Sequence, residues 1–128
     1  MIVADTDVLI DFLEGRQPGA QAVAGALAAG RLQTTVISCV ELFSGARQSR
    51  QRKALQTLLD SIPTLPLDPN AALKAAETRL ELDRHGIAIG MADSLIAGIV
   101  LLHAASLLTR NRRHFERVPR LSLLDLIA

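Results

Sequence analysis

The sequence predicts an α/β fold in three layers, α/β/α, built on a central, mostly parallel sheet of four to five strands. Three observations predict it. Short apolar or β-branched runs alternate along the chain with longer helical stretches, the pattern of strand–helix–strand units. The strand-like runs are apolar without regular alternation, as expected of strands covered on both faces. Finally, 49% of the 128 residues are apolar, enough for one sizeable core. No repeat, low-complexity segment or linker divides the chain, so residues 1–128 read as a single domain.

The elements follow in order. Ile2-Val3-Ala4 is a first strand, closed by Asp5. A helix through Val8-Leu9-Ile10 and Phe12-Leu13 comes next, with Thr6 or Asp7 as its cap, because a side-chain oxygen there accepts orphan helical N–H groups. Gly15 and Pro18 break it. A small-residue helix spans Ala20 to Ala29 and stops at Gly30. Thr34-Thr35-Val36-Ile37 is β-branched and reads as a second buried strand, after which Ser38 starts a helix carrying Glu41, Leu42 and Phe43. Ser49 to Asp60 is a basic helix with Leu55, Leu58 and Leu59 on one face. Residues Ile62 to Leu67 form a third strand, whose prolines place it at a sheet edge. Asp68-Pro69 is a cap followed by proline at the first helical position, opening a long helix that ends near His85 and Gly86. Met91 to Ala104 is an apolar helix and Ser106 to Thr109 a fourth strand. A short basic turn or helix at Asn111–Phe115 precedes a last strand near Leu121–Leu123.

Composition narrows the function classes. The net charge of +1 permits a nucleic-acid role without requiring one. Cys39 is the single cysteine, which excludes an intrachain disulfide and CxxC zinc or redox chemistry and suits a small buried hydrophobe. His85, His103 and His114 are too scattered for a zinc triad, and only His114 falls near the chemistry described next. The apolar stretch around Leu95–Ala105 is too short to span a bilayer. The opening residues reach an acid at once, with neither a basic nor an apolar leader region, so the cytoplasm is the expected compartment. With no Trp or Tyr and three Phe, the chain has no stacking platform for single-stranded bases.

Ligands of open α/β sheets bind beyond the carboxyl ends of the strands, and three acids fall there. Asp5 closes the first strand, Glu41 lies early in the helix after the second, and Asp93 lies in the first turn of the helix before the fourth. Thr109-Arg110-Asn111 brings an amide to the same edge. Such a set suits a hard divalent cation, Mg²⁺ or Mn²⁺, able to activate water and stabilise phosphoryl oxygens. Glu41 sits between Val40 and Leu42-Phe43 in a segment that reads as buried, which singles it out, whereas an acid near a helix start has a plainer role when taken alone. Asp93 fits a partner of the helix dipole, and Asp7 a helix cap.

These segments resemble motifs of the PIN-domain ribonucleases, in particular the VapC-type toxins of bacterial toxin–antitoxin pairs. Val3-Ala4-Asp5-Thr6-Asp7-Val8-Leu9-Ile10 is similar to the family's hydrophobic–Asp–Thr–Asn–Val–Leu–Ile opening. Ser38-Cys39-Val40-Glu41-Leu42-Phe43-Ser44-Gly45 resembles its Ser-x-x-Glu-Leu-x-x-Gly segment. Ala92-Asp93-Ser94-Leu95-Ile96-Ala97 resembles the third motif, and Leu108-Thr109-Arg110-Asn111-Arg112-Arg113-His114-Phe115 the fourth. The resemblance implies a PIN-like fold and Mg²⁺- or Mn²⁺-dependent hydrolysis of RNA. It makes Asp5, Glu41 and Asp93 the metal-binding carboxylates, with Asn111 as the fourth catalytic position. It also implies a cognate antitoxin and a homodimer, or a hetero-oligomer with that antitoxin. Asn111 stands where many members carry Asp, and His114 where relatives often have Asp or Glu. Thr6, Asp7, Ser38 and Thr109 are candidates for supporting contacts, and Arg110, Arg112 and Arg113 for contacts with RNA phosphates.

Two further readings compete. Asp5-Thr6-Asp7 superficially matches the start of Asp-x-Asp phosphatases, although Lys53 and Lys74 follow no suitable strand. A degenerate domain that binds RNA or a partner without cutting would accommodate Asn111 and His114. Arg47, Arg50, Arg52 and Lys53 form a second basic cluster that reads equally as a solvated face. An antitoxin peptide is expected to cover the acidic pocket, an inserted Arg standing in for the cation.

Overall fold

The computed structural model describes residues 1–127. Its sheet has five strands, β1 (Ile2–Ala4), β2 (Leu32–Thr35), β3 (Thr64–Leu65), β4 (Ser106–Leu108) and β5 (Ser122–Leu123), in the spatial order β3-β2-β1-β4-β5. Every pairing is parallel; Ile2, for example, lies opposite Leu32 on one side and Ser106 on the other. The seven helices are α1 (Thr6–Glu14), α2 (Gly19–Ala28), α3 (Val36–Gly45), α4 (Ser49–Asp60), α5 (Pro69–Arg84), α6 (Met91–Leu102) and α7 (Arg112–Phe115).

Successive strand side chains point to opposite faces, and this divides the core in two. Val3 and Leu107 pack with Ile96, Ile99, Val100 and Phe115 under α5, α6 and α7. Ala4 and Leu108 pack with Val8, Leu9, Val23, Leu55 and Leu58 under α1, α2 and α4. Both layers are apolar, and each fully buried Leu or Ile contributes about 1.5–3 kcal/mol. Among the described residues no helix is long and apolar enough to cross a membrane.

Most expected boundaries hold within a residue or two, and the exceptions have physical causes. The second strand stops at Thr35, and Val36-Ile37 is helical, because the Thr35 hydroxyl accepts the Ser38 N–H at 3.2 Å and caps α3. Helix α3 therefore begins at Val36, not at Ser38. The cap of α1 is Asp5, whose Oδ1 accepts the Thr6 N–H at 2.8 Å, rather than Thr6 or Asp7. The third strand shrinks to two residues, at the sheet edge as expected. Asp68 caps α5 through the Ala71 N–H, with Pro69 behind it. Gly86, at φ +71°, supplies the left-handed turn that follows α5. Gly98 has another reason to be glycine: a Cβ there would stand 2.7 Å from the Ala75 backbone nitrogen, so α5 and α6 touch through it.

The strand order fixes where the chain can hold a ligand. From β1 the chain builds outward through β2 to β3, then returns to β4 on the other side of β1. Beyond the carboxyl ends of β1 and β4 the connections diverge and leave a crevice. Asp5 and Thr109 are the residues that immediately follow those two strands.

Candidate functional site

Asp5 is 6% exposed and tied to both flanking segments. Its backbone N–H donates to the Leu108 carbonyl at 2.9 Å, extending the β1–β4 pairing by one residue. Its Oδ2 accepts the Thr109 hydroxyl at 2.7 Å. Thr109, fully buried, in turn accepts the Asn111 N–H at 3.0 Å. One hydroxyl thus orients the Asp5 carboxylate and the start of the loop after β4.

Asp7 joins from the first turn of α1. Its Oδ2 accepts the Arg110 N–H at 3.0 Å and lies 3.4 Å from the Thr109 hydroxyl. Its Oδ1 is buried with no hydrogen-bond partner in the protein. Glu41, on α3, is exposed and accepts the Thr6 hydroxyl at 2.7 Å, which brings it beside the Asp5–Thr6 step. Asp93, in the first turn of α6, accepts from His114 Nδ1 at 2.9 Å, and Asn111 Nδ2 lies 2.8 Å from the same ring nitrogen.

The electrostatics follow from burial. Loss of hydration pushes the Asp5 carboxyl up from 3.8 to about 6. The Thr109 hydrogen bond opposes that rise, the Asp7 charge adds to it, the Thr6 N–H opposes it, and the Asp93 charge adds a little more. The Asp5 carboxyl therefore senses the charges of both Asp7 and Asp93. Burial also raises the Asp7 carboxyl, against the lowering effect of the Arg110 N–H.

Sequence-predicted residues thus gather in part. Asp5, Thr6, Asp7, Glu41, Thr109 and Asn111 form one hydrogen-bonded neighbourhood, and Asp93 is linked to it through His114 and Asn111. Yet among the described residues no three His, Cys, Asp or Glu side chains are grouped as a ready-made metal site. Glu41 does not lie in a buried segment, since the adjoining Val40 is 63% exposed. Ser38 is buried at the base of α3, its Oγ without a partner, and no hydrogen bond links it to the acids.

The arginines depart most from expectation. Arg110 is engaged: its Nε pairs at 2.8 Å with Asp11, a residue only 3% exposed that the sequence reading passed over. The signal was available, because Asp7 and Asp11 are four residues apart and share a face of α1. Arg112 donates to the Leu124 carbonyl and lies near Asp125. Arg113 remains exposed. In the first cluster, Arg52 donates to the Phe43 and Ala46 carbonyls and lies over the Phe43 ring, finishing α3. Cys39 is only half-buried, its sulfur 3.9 Å from the Thr64 hydroxyl.

A cleft of about 370 Å³ opens beside Glu41 between α1, α3 and α4. Ile10, Leu13, Leu42 and Leu55 give it apolar walls, and Arg50 stands at its margin. Neither Asp5 nor Asp93 lines it, so the cleft adjoins the acids without containing them.

Comparison with known proteins bears on the fold and the family. The solved VapBC2 complex of Rickettsia felis, bound to a promoter DNA fragment, superposes with a TM-score of 0.86 over 97% of this chain and 98% of that one, at 22% identity. The DNA-bound VapBC of Salmonella typhimurium gives 0.85 over 98% and 97%, at 25% identity. Ribonuclease VapC10 of Mycobacterium tuberculosis is 31% identical over 121 residues, 94% of this chain and 90% of its own length. The tRNA(fMet)-specific endonuclease VapC of Salmonella typhimurium is 30% identical over 99 residues, 74% of this chain and 75% of its own length. The PIN domain model matches residues 2–121, and the chain belongs to the PIN-domain family.

Proposed function

We propose that the chain is a divalent-metal-dependent endoribonuclease, the toxin of a toxin–antitoxin pair, with Asp5, Asp93 and Glu41 as its cation ligands. The observation that carries the reading is the buried Asp5 carboxyl, raised to about 6 beside Asp7 and Asp93 without a cationic partner of its own. A buried carboxylate in that state favours any cation that reaches it. The donors fit the ion: all are hard oxygens, Asp7 Oδ1 is buried and unpaired, and Mg²⁺ and Mn²⁺ typically take one or two carboxylates and keep several waters. Relatives named as ribonucleases and as a tRNA-specific endonuclease support RNA as substrate. The toxin–antitoxin complexes among its structural neighbours support the partner.

In this reading Asp5 is fixed by the Thr6 N–H and the Thr109 hydroxyl, while Glu41 is steadied by Thr6 and Asn111 sits at the loop's start. The bound cation would supply an activated water and charge stabilisation at the phosphorus. Water would add to phosphorus and give up a proton as the bond to the leaving oxygen breaks, and that oxygen would take up a proton in its turn. Of Arg110, Arg112 and Arg113, it is Arg113 that is exposed without an ion-pair or hydrogen-bond partner among the described residues and can meet the RNA backbone. The antitoxin is a chain whose apolar segment enters the cleft beside Glu41 and whose cationic side chain meets the acids. The protein acts as a homodimer or as a hetero-oligomer with that antitoxin, in the cytoplasm.

The lack of a ready-made three-ligand group favours one alternative, a non-cutting RNA- or partner-binding module. Family membership argues against the Asp-x-Asp phosphatase. Purified protein incubated with structured RNA and Mn²⁺ is expected to cut it, with cleavage lost in EDTA and in Asp93→Asn. Cleavage that survives either treatment refutes the metal mechanism, and no cleavage under any divalent ion selects the binding module.

A further inference from the structure

We propose that His114 is an internal competitor for the divalent cation at Asp93, a proposal that rests on reading Asp93 as a cation ligand. One ring atom makes the case. His114 Nδ1 lies 2.9 Å from Asp93 Oδ2 and 2.8 Å from Asn111 Nδ2. A neutral imidazole nitrogen either donates or accepts. Were Nδ1 bare, its lone pair would face the Asp93 carboxylate across a hydrogen-bonding distance with no proton between them. The carboxylate therefore selects the tautomer with hydrogen on Nδ1, and that hydrogen points at Asp93.

The same choice turns Asn111. An Nδ1–H facing an amide NH₂ would set donor against donor, so the Asn111 carboxamide presents its oxygen instead; the two amide orientations are indistinguishable in shape. Asp93, assigned to the cation by the family resemblance, and Asn111, assigned to the fourth catalytic position, are thus drawn to one imidazole N–H. A cation approaching Asp93 meets an oxygen that already accepts a hydrogen bond. The imidazole does not close the site, because Asp93 Oδ1 is free of it and the His114 side chain is half-exposed. It weakens binding without preventing it, and it holds the loop after β4 against α6 while the cation is absent.

Calorimetric titration of the full chain with Mn²⁺ tests this. His114→Ala removes the donor and is expected to tighten Mn²⁺ binding about three- to tenfold, the range one hydrogen bond supplies. His114→Asn places an amide N–H near the Nδ1 position and should stay within about twofold of the parent. Unchanged or weaker binding in His114→Ala overturns the proposal, as it would if the imidazole aided the ion. Asp93→Asn separates the two levels: if it binds Mn²⁺ as tightly as the parent, the ligand assignment itself has failed. Nitrogen-15 spectra of the imidazole give a reading free of substitution. Hydrogen on Nδ1 without metal, with the Asp93 hydrogen bond lost on adding Mg²⁺, supports the competition. A metal-free ring carrying its hydrogen on Nε2 alone overturns it.

Discussion

Replacing Asp5 by Asn should make the metal-free protein more stable at neutral pH while removing its activity. In the folded chain the carboxyl ionises at about 6 against 3.8 for a free aspartate, so the native state binds its proton more tightly than the unfolded chain does. The contribution of this one group to native stability is then greatest below about pH 4, falls as pH rises toward 6, and is level above that. At about 1.4 kcal/mol per pH unit, a rise of a little over two units leaves the ionised Asp5 costing roughly 3 kcal/mol at pH 7. Asparagine retains the cap on Thr6 and removes the charge. Thr109 can turn its hydroxyl to Asp7 Oδ2, 3.4 Å away. For a chain of this length the gain corresponds to about 10 °C in the unfolding midpoint. Thermal unfolding followed by circular dichroism in EDTA should separate parent and Asp5→Asn by that amount at pH 7 and hardly at pH 4. Saturating Mn²⁺ should raise the parent and leave the variant behind. An Asp5→Asn midpoint equal to or below the parent's at pH 7, or the same gap at both pH values, refutes the account of a buried, unneutralised carboxylate.

Thr109→Val should lose about 1–3 kcal/mol in urea unfolding at pH 7, because it removes the Asp5 donor and leaves the Asn111 N–H without its acceptor; an unaltered midpoint would count against the hub role. Gly98→Ala should cost about 1–3 kcal/mol, since the new methyl meets Ala75 backbone atoms and forces α5 and α6 apart. Chemical denaturation decides it, because helix propensity alone predicts a gain of about 1 kcal/mol. Asp7→Asn should keep RNA cleavage within severalfold, an amide oxygen still accepting the Arg110 N–H; near-complete loss in the same cleavage assay would instead favour chemistry in which Asp7 carries a proton.

Local signals made the scaffold legible. The pair Asp68-Pro69, the stop at Gly86 and the apolar triplet of Leu55, Leu58 and Leu59 each act within a few residues, and each appears as expected. What failed was the junction after Thr35. Val36 and Ile37 favour a strand by their branching, but a hydroxyl one residue earlier captures the Ser38 N–H and starts a helix. Side-chain capping outweighed a preference of a few tenths of a kcal/mol. That early turn also presents Val40 and Glu41 to solvent while Ser38 and Leu42 face inward, so Glu41 meets Thr6 from outside the core.

The site was legible only as far as spacing reaches. Asp5 was singled out because it closes a strand; Thr109, read as the last residue of the neighbouring strand, follows that strand in the structure and meets Asp5 because adjacent parallel strands of matched length deliver their next residues to one place. Asp93 was found by its place at a helix start, which says that a carboxylate is welcome there and nothing about its neighbour. Its partner, His114, lies on another helix; the sequence placed that histidine near the chemistry and in the stead of a carboxylate, but gave no sign that it meets Asp93. Arg110 was assigned to phosphate from its neighbours in the chain, yet Asp11 claims it from across the fold. In both cases the deciding contact is between elements and depends on which of several polar groups comes closest. On the proposed reading, the chemistry of this site turns on competition: an imidazole and a cation for one carboxylate, a buried acid and a phosphate for one guanidinium.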